Sequence, residues 1–450
     1  MLIGIYTKKK KYFGFPGLVG AALLLTSTGY AQQNTSDSLL QNASLENVVQ
    51  YALKHQPIVQ QSLIDEKTTD LQIKAKLADW YPQVNFNYLY QHNFQVQTTI
   101  IGGNPIKLGV DNTSALQFSA TQNIFNRDVL IANKSQGDVR RQASQQTANT
   151  KIEVIVNVSK AFYDLLATRQ QVKVATENIV RIEKSLNDAK AQYEAGVVDK
   201  TDYKRATIQL NNTKASEKAN EEALKSKTEY LKTLMNYPVN ADLDIVYDSS
   251  ALENDIMLDT LKGVDYSKRI EYQILQTQRK LQEANVQYNR WSYIPSLSAN
   301  GAYNLNYLNN SFGKLYNTSY PNSYAGLTLA FPIFQGGKRK YNIQQAEWQL
   351  KRTDLDIVNV KNSVNSEYAA ALANYKASLS YYLALKENVL LAREVYDVIQ
   401  LQYRSGVKTY LEVITAETDL RTSQINYFNA LYLLLISKID VQKSLGEINP

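Results

Sequence analysis

Two long stretches of this chain lack proline, and they decide what it can become. After Pro105 the next proline is Pro238, and from Ile333 to Asn449 there is none. Proline inside a helix removes a hydrogen bond and clashes with the preceding turn, so its absence permits helices of unusual length. In the first stretch Ile155, Val158, Phe162 and Leu165 recur at three-four spacing, and Val172, Ala175, Ile179, Ile182, Leu186, Ala189 and Tyr193 continue the stripe. Val389, Ala392, Tyr396, Ile399 and Tyr403 repeat it in the second. Stripes of this kind are the packing seams of coiled coils. A helix of about seventy residues, rising about 1.5 Å per residue, runs on the order of 100 Å, more than a compact globular domain accommodates.

The two stretches belong to one unit written twice. Trp80-Tyr81-Pro82 returns as Tyr293-Ile294-Pro295, and Ile124-Phe125-Asn126 as Ile333-Phe334-Gln335. Gln192-Tyr193-Glu194-Ala195-Gly196-Val197 returns, 210 residues on, as Gln402-Tyr403-Arg404-Ser405-Gly406-Val407. Each unit reads as a helix, two alternating strands, a very long helix, a turn with Gly, and a shorter helix. The first places helices at Ser62–Asp79, Arg127–Ala195 and Asp199–Asn236, with strands near Val84–Thr98 and Ser114–Phe125. The second places helices at Ser267–Trp291, Lys338–Arg404 and Thr409–Leu445, with strands near Ser296–Leu308 and Tyr324–Phe334. The organisation expected is therefore a helical segment at 32–61, a first repeat at 62–237, a linker or small side domain at 238–266, and a second repeat at 267–450.

The strands alternate with period two. Val84, Phe86, Tyr88, Tyr90, Phe94 and Val96 fall on one face, and Asn85, Asn87, Gln91, Asn93 and Gln95 on the other. Leu116, Phe118, Ala120 and Ile124 alternate with Gln117, Ser119, Thr121 and Asn123. Leu297, Ala299, Tyr303, Leu305 and Tyr307 alternate with Ser298, Asn300, Asn304 and Asn306. Apolar outside and polar inside, over about ten residues, suits a lipid-facing barrel with a wet lumen. An open edge in hydrocarbon leaves backbone groups unpaired at several kcal/mol each, so four strands cannot span a membrane alone. Two copies would give eight strands around a filled interior, and three give twelve around a lumen.

The first residues place Lys8 to Lys11 before an apolar run from Phe13 to Leu25 and a small-residue segment ending at Ala31. That is the pattern of a secretory signal peptide spanning 1–31. Its apolar run is shorter than the roughly twenty residues of a membrane-spanning helix. Without those four lysines, 45 basic residues face 42 acidic ones, a net charge of +3 that gives no reason to expect nucleic acid. Mean hydropathy is -0.37, and tyrosines outnumber phenylalanines 32 to 11, a ratio suited to membrane interfaces and wet helix seams. There is no cysteine, and His55 and His92 are the only histidines, so material for a metal or acid/base centre is scarce. No nucleophile elbow or phosphate-binding glycine loop appears, so neither an enzyme nor a cofactor is expected. A coiled-coil structural or adhesin-like outer-membrane protein is the alternative reading.

The opening Ser44-Leu45-Glu46-Asn47-Val48-Val49-Gln50-Tyr51-Ala52-Leu53 with Pro57, the paired elements at Pro82 and Pro295, Pro332-Ile333-Phe334-Gln335-Gly336-Gly337, and Tyr403-Arg404-Ser405-Gly406 together resemble the outer-membrane efflux protein family. The resemblance covers essentially the whole chain after the signal peptide. It implies a mainly α protein with a small β portion: long antiparallel helical hairpins forming a tunnel, and four strands per protomer contributing to a twelve-stranded barrel of a homotrimer. It implies location in the outer membrane, against its lipid, with a helical extension into the periplasm. It also implies a periplasmic adaptor and an inner-membrane transporter as partners, in an efflux or type I secretion system that the channel serves passively. The turns at Gly196 and Gly406 become the periplasmic tips. Tyr403 and Lys408 match gate residues that would bond toward Thr201 and Asp202, and Glu412 matches an entrance acidic ring. Two positions depart from the family pattern. Lys408 stands where Arg is expected, which removes bidentate bonding, and the second acidic position is Thr415.

Overall fold

The computed structural model describes residues 40–196, 199–247, 252–253 and 255–450; the expected signal peptide lies outside the described residues. Two short helices, α1 (Leu45–His55) and α2 (Pro57–Ala78), lead into β1 (Gln83–His92). A small hairpin of β2 (Thr98–Ile101) and β3 (Asn104–Lys107) follows, and then β4 (Asn112–Phe125). The first helical hairpin is α3 (Arg127–Glu194) and α4 (Lys200–Met235). The second repeat runs through α5 (Ile270–Arg290), β5 (Ser296–Asn309), β6 (Ser319–Ala330), α6 (Lys338–Arg404) and α7 (Tyr410–Leu445). The long helices of the two repeats hold 68 and 67 residues, as the proline-free stretches require.

Side-chain caps begin these helices where the sequence changes character. The Asn126 side chain accepts from the Asp128 N–H at the start of α3, and Asp199 accepts from Thr201 N–H at the start of α4. Along α6 the buried positions Ala346, Thr353, Ile357, Val364, Ala371, Tyr375 and Tyr382 advance in steps of seven and four. That mixture averages about 3.6 residues per turn, so the stripe keeps to one side of the helix without needing the left-handed supercoil that a strict seven-residue repeat imposes.

Three boundaries differ from the sequence reading. The helix expected from Ser62 starts at Pro57, because proline fits the first helical position, where no N–H is needed, and holds Gln56 extended at ψ 122°. The boundary placed at 61/62 therefore falls inside α2. The first strand stops at His92 instead of running to Thr98, and Gly102 and Gly103, both at positive φ, turn the separate β2–β3 hairpin. The last strand runs over Ser319–Ala330, before Pro332, which lacks the N–H that a strand continuing to Phe334 would use.

The large core lies where the middle of α3 meets α1 and the C-terminal halves of α4 and α7, and α6 joins it by packing along α7. Phe162, Leu165, Leu166, Leu231, Met235, Tyr375, Tyr382, Leu434 and Leu435 are buried there. Of the described residues in 238–266, the segment read as a linker or small side domain, Ile245 and Ile256 join this same cluster, as does the adjoining Tyr237. These described residues are tied to the helices and to the chain before α1. One parallel bridge pairs Ala43 with Ile245, Arg169 donates to the Ile245 carbonyl at 2.6 Å, and the Tyr375 hydroxyl donates to the Ile256 carbonyl at 2.8 Å.

The four long strands form one antiparallel sheet in the order β1-β4-β5-β6. Its register aligns the two-face pattern across the repeats. Phe86 faces Phe118, Phe118 faces Tyr303, Tyr88 faces Leu116, and Leu116 faces Leu305, while Leu297 and Ala299 meet Leu329 and Leu327. On the other face amides and hydroxyls bond one another: Asn304 to Asn322 at 2.6 Å, Thr328 to Asn300 at 3.1 Å, Asn87 to Gln117 at 3.5 Å. Among the described residues β1 pairs only with β4, and β6 only with β5, so both edges carry open backbone groups.

Candidate functional site at the helix tips

The two long helices α3 and α6 end in the same way. Gly196 and Gly406 sit at φ 72° and 73°, and each N–H donates to a tyrosine carbonyl three residues back, Tyr193 or Tyr403, at 3.0 Å. No atom lies within 4 Å of where a side chain would begin at either glycine, so it is the left-handed backbone and not crowding that calls for Gly.

At this end the two hairpins touch. Tyr403, near the end of α6, donates its hydroxyl to Gln192 Oε1 of α3 at 2.8 Å. Its ring lies 5.7 Å from that of Tyr410, which is buried against Ala189, Ala206 and Val413. Burial pushes the Tyr403 hydroxyl above its ordinary pKa, and the charges of Asp202 and Asp188 push it the same way. Asp202, in the first turn of α4, is thus close enough for its charge to be felt, but the phenol's hydrogen bond goes to Gln192 and not to the carboxylate.

The other expected gate residues form bonds within their own hairpins. The Thr201 N–H is held by the Asp199 cap at 3.1 Å. Lys408 bonds Glu412 Oε1 at 2.6 Å, one turn along α7, instead of reaching Thr201 or Asp202. Glu412 Oε2 accepts from the Thr409 N–H at 2.9 Å and the Thr409 hydroxyl at 3.0 Å, completing a capping box at the start of α7. Lys408 and then the Thr409 N–H hold the Glu412 carboxyl down to about 2. Thr415, at the second acidic position, turns its hydroxyl back to the Leu411 carbonyl at 2.9 Å. Among the described residues no cluster of three or more His, Asp or Glu is placed to hold a metal.

Gln192 is the site residue that the sequence reading passed over. The signal was present: Gln192-Tyr193 in the first repeat is the counterpart of Gln402-Tyr403 in the second, so the contact joins neighbouring positions of one motif across the repeats.

A family model described as "Outer membrane efflux protein" matches residues 48–237 and 273–447, covering both repeats. The chain belongs to that family. The outer membrane protein TolC of Escherichia coli (strain K12) is 28% identical over 124 residues, 28% of this chain and 25% of TolC. TolC of Vibrio cholerae is 27% identical over 160 residues, 35% of this chain and 36% of the relative. The aligned segments thus span about a quarter to a third of these curated relatives. Solved structures extend the likeness of fold to nearly the whole chain. CusC superposes with a TM-score of 0.73 at 17% identity, over 91% of this chain and 95% of CusC. The open state of the Neisseria gonorrhoeae MtrE outer membrane channel gives 0.72 at 18%, over 89% of this chain and 88% of that one. The expected fold, mainly helical with four sheet strands per chain, and the placement in the outer membrane hold for this member of the family.

Proposed function

We propose that three copies of this chain close one twelve-stranded barrel in the outer membrane and one helical tunnel beneath it. Through this path substrates from an inner-membrane transporter and a periplasmic adaptor pass passively to the exterior, with no bond made or broken on the way. The observation that carries the reading is the sheet: it has one apolar face, one amide-lined face and two unpaired edges, a combination that lipid tolerates only when further copies close the ring. The test is light scattering of the detergent-solubilised protein together with conductance in a planar bilayer. A trimeric mass with discrete conductance steps is expected. A folded monomer, or an assembly that never conducts, overturns the channel in favour of a structural coiled coil.

Within this reading the helix tips are the gate. Tyr403 holds the second hairpin to the first through Gln192, Asp202 lies beside that contact, and Thr201 sits in the α4 cap. Lys408 and Glu412 stiffen the start of α7, and they present to the entrance a neutralised pair in place of a free acidic ring.

A further inference from the structure

About two turns along α7 from the tip lies a group of buried polar side chains that the gate does not use. Glu417 is 2% exposed, and its Oε1 has no hydrogen-bond partner. On the same two helices Asn178 Nδ2 and Arg181 Nε of α3 and Gln424 Oε1 of α7 are likewise buried without partners, and the charge of Arg181 reaches Glu417. Nearly every buried polar group in a folded protein is bonded, so four such atoms in one joint mark a place where packing is traded against something else. The joint is between hairpins: Asn178 and Arg181 belong to α3, Glu417 and Gln424 to α7.

We propose that Glu417 is a proton-binding site in the joint between the two helical hairpins, and that its ionisation loosens the joint and opens the tunnel. The inference rests on the gate reading above only in that the second hairpin must move away from the first.

The groups facing Glu417 set the sign. Arg181 approaches from α3 and Arg421 from α7 itself, and both favour the carboxylate. Tyr396 of α6 and Tyr410 of α7 are buried, neutral, and feel its charge. On the α4 side Thr213 accepts from Arg421 at 3.2 Å and Gln209 bonds Thr418 at 3.5 Å, and neither of these titrates. Burial outweighs the two guanidinium groups and pushes the Glu417 carboxyl up to about 7. The packed joint therefore holds the proton more tightly than an opened joint, in which a solvated glutamate returns to its ordinary range near 4.3. Stability of the closed joint is full below the lower value and falls as pH rises through the upper one. Water for the opened state is at hand, since a cavity of about 320 Å³ lined by Asn212, Thr213, Ser216 and Arg421 begins one turn away. Between pH 5 and pH 8 the balance of open to closed joints is expected to shift roughly tens-fold toward open. Glu412, held down to about 2, keeps its charge throughout that window and contributes no pH dependence there.

The experiment records mean current from the full-length channel in planar bilayers between pH 5 and pH 8. It compares the unmodified protein, Glu417→Gln, Arg181→Met and Tyr403→Phe, with trimer yield measured for each. Expected are a current that rises with pH around neutrality in the unmodified channel, a flat profile in Glu417→Gln, and a midpoint moved to higher pH in Arg181→Met, where one charge favouring the carboxylate is gone. If Glu417→Gln fails to assemble, the direction of the Arg181→Met shift decides. A flat profile in the unmodified channel overturns the proposal, as does a rise that survives in Glu417→Gln. Tyr403→Phe separates the two readings: an unchanged current there removes the latch, whereas the Glu417 comparison alone decides the proton site.

Discussion

Tyr403 and Gln192 form a single hydrogen bond of 2.8 Å, yet position gives it leverage. A net hydrogen bond contributes about 1 kcal/mol, and threefold repetition would bring roughly 3 kcal/mol to a closed ring, on the order of a hundred-fold in the closed-to-open ratio. Tyr403→Phe and Gln192→Ala are each expected to raise the mean current of reconstituted channels, and the double variant no further, because both remove the same contact. Additive increases, or no increase in either single variant, would show that the bond is incidental. Glu412 plays a different part from a free acidic ligand. Lys408 and Thr409 occupy both its oxygens, so its contribution is present above the ordinary glutamate range and is lost only as pH falls through about 2.

At the scale of strands and helices, adjacent residues of β4 test the two-face assignment without ambiguity. Phe118 packs against Phe86, tilted and 4.9 Å between ring centres, on the apolar face, whereas Gln117 points to the amide-lined face beside Asn87. Phe118→Lys is expected to cost about 2–4 kcal/mol if the position lies near the bilayer midplane, and to deplete the protein from outer-membrane fractions. Gln117→Lys should insert normally and shift ion selectivity toward anions. Equal membrane yields for the two variants would mean that the faces are misassigned. This alternation was legible in the sequence because side chains in a strand repeat every two residues, and the long helices were legible because proline-free seams admit few other folds. The errors came where one backbone group decides: Pro57 starts a helix that hydrophobic pattern alone dates to Ser62, and Pro332 ends a strand that pattern alone extends to Phe334. Whether 238–266 is a linker or a small side domain was not legible, for another reason. Ile245 and Ile256 bury themselves against helices far away in sequence, and no local pattern records that. For the partner of Tyr403 the repeat motif offers Gln192 as a candidate, but only packing of one repeat against the other selects it over Asp202.

For the whole molecule the question is closure, and the chain's lack of cysteine makes it answerable. β1 and β6 lie at opposite edges of the four-stranded sheet, separated by two strands. At about 4.8 Å per strand the edges of one chain stand roughly 14 Å apart, twice the reach of a disulfide. A cysteine in β1 and another in β6 can therefore join only different copies. Asn87→Cys paired in turn with Asn322→Cys, Tyr324→Cys, Gly326→Cys or Thr328→Cys scans the polar face for the register of the closing junction. One or two of these pairs should oxidise in isolated membranes and give dimer and trimer bands on denaturing gels, with nothing larger, because a ring of twelve strands uses its last edge at the third copy. The exposed apolar side chains of α6, among them Trp348, Leu355, Leu383, Leu390 and Leu401, would be covered in the same assembly and hold its copies together below the barrel. A ladder that stops at two points to an eight-stranded barrel with a filled interior, and one that climbs past three to an open fibre; either would refute the trimeric tunnel.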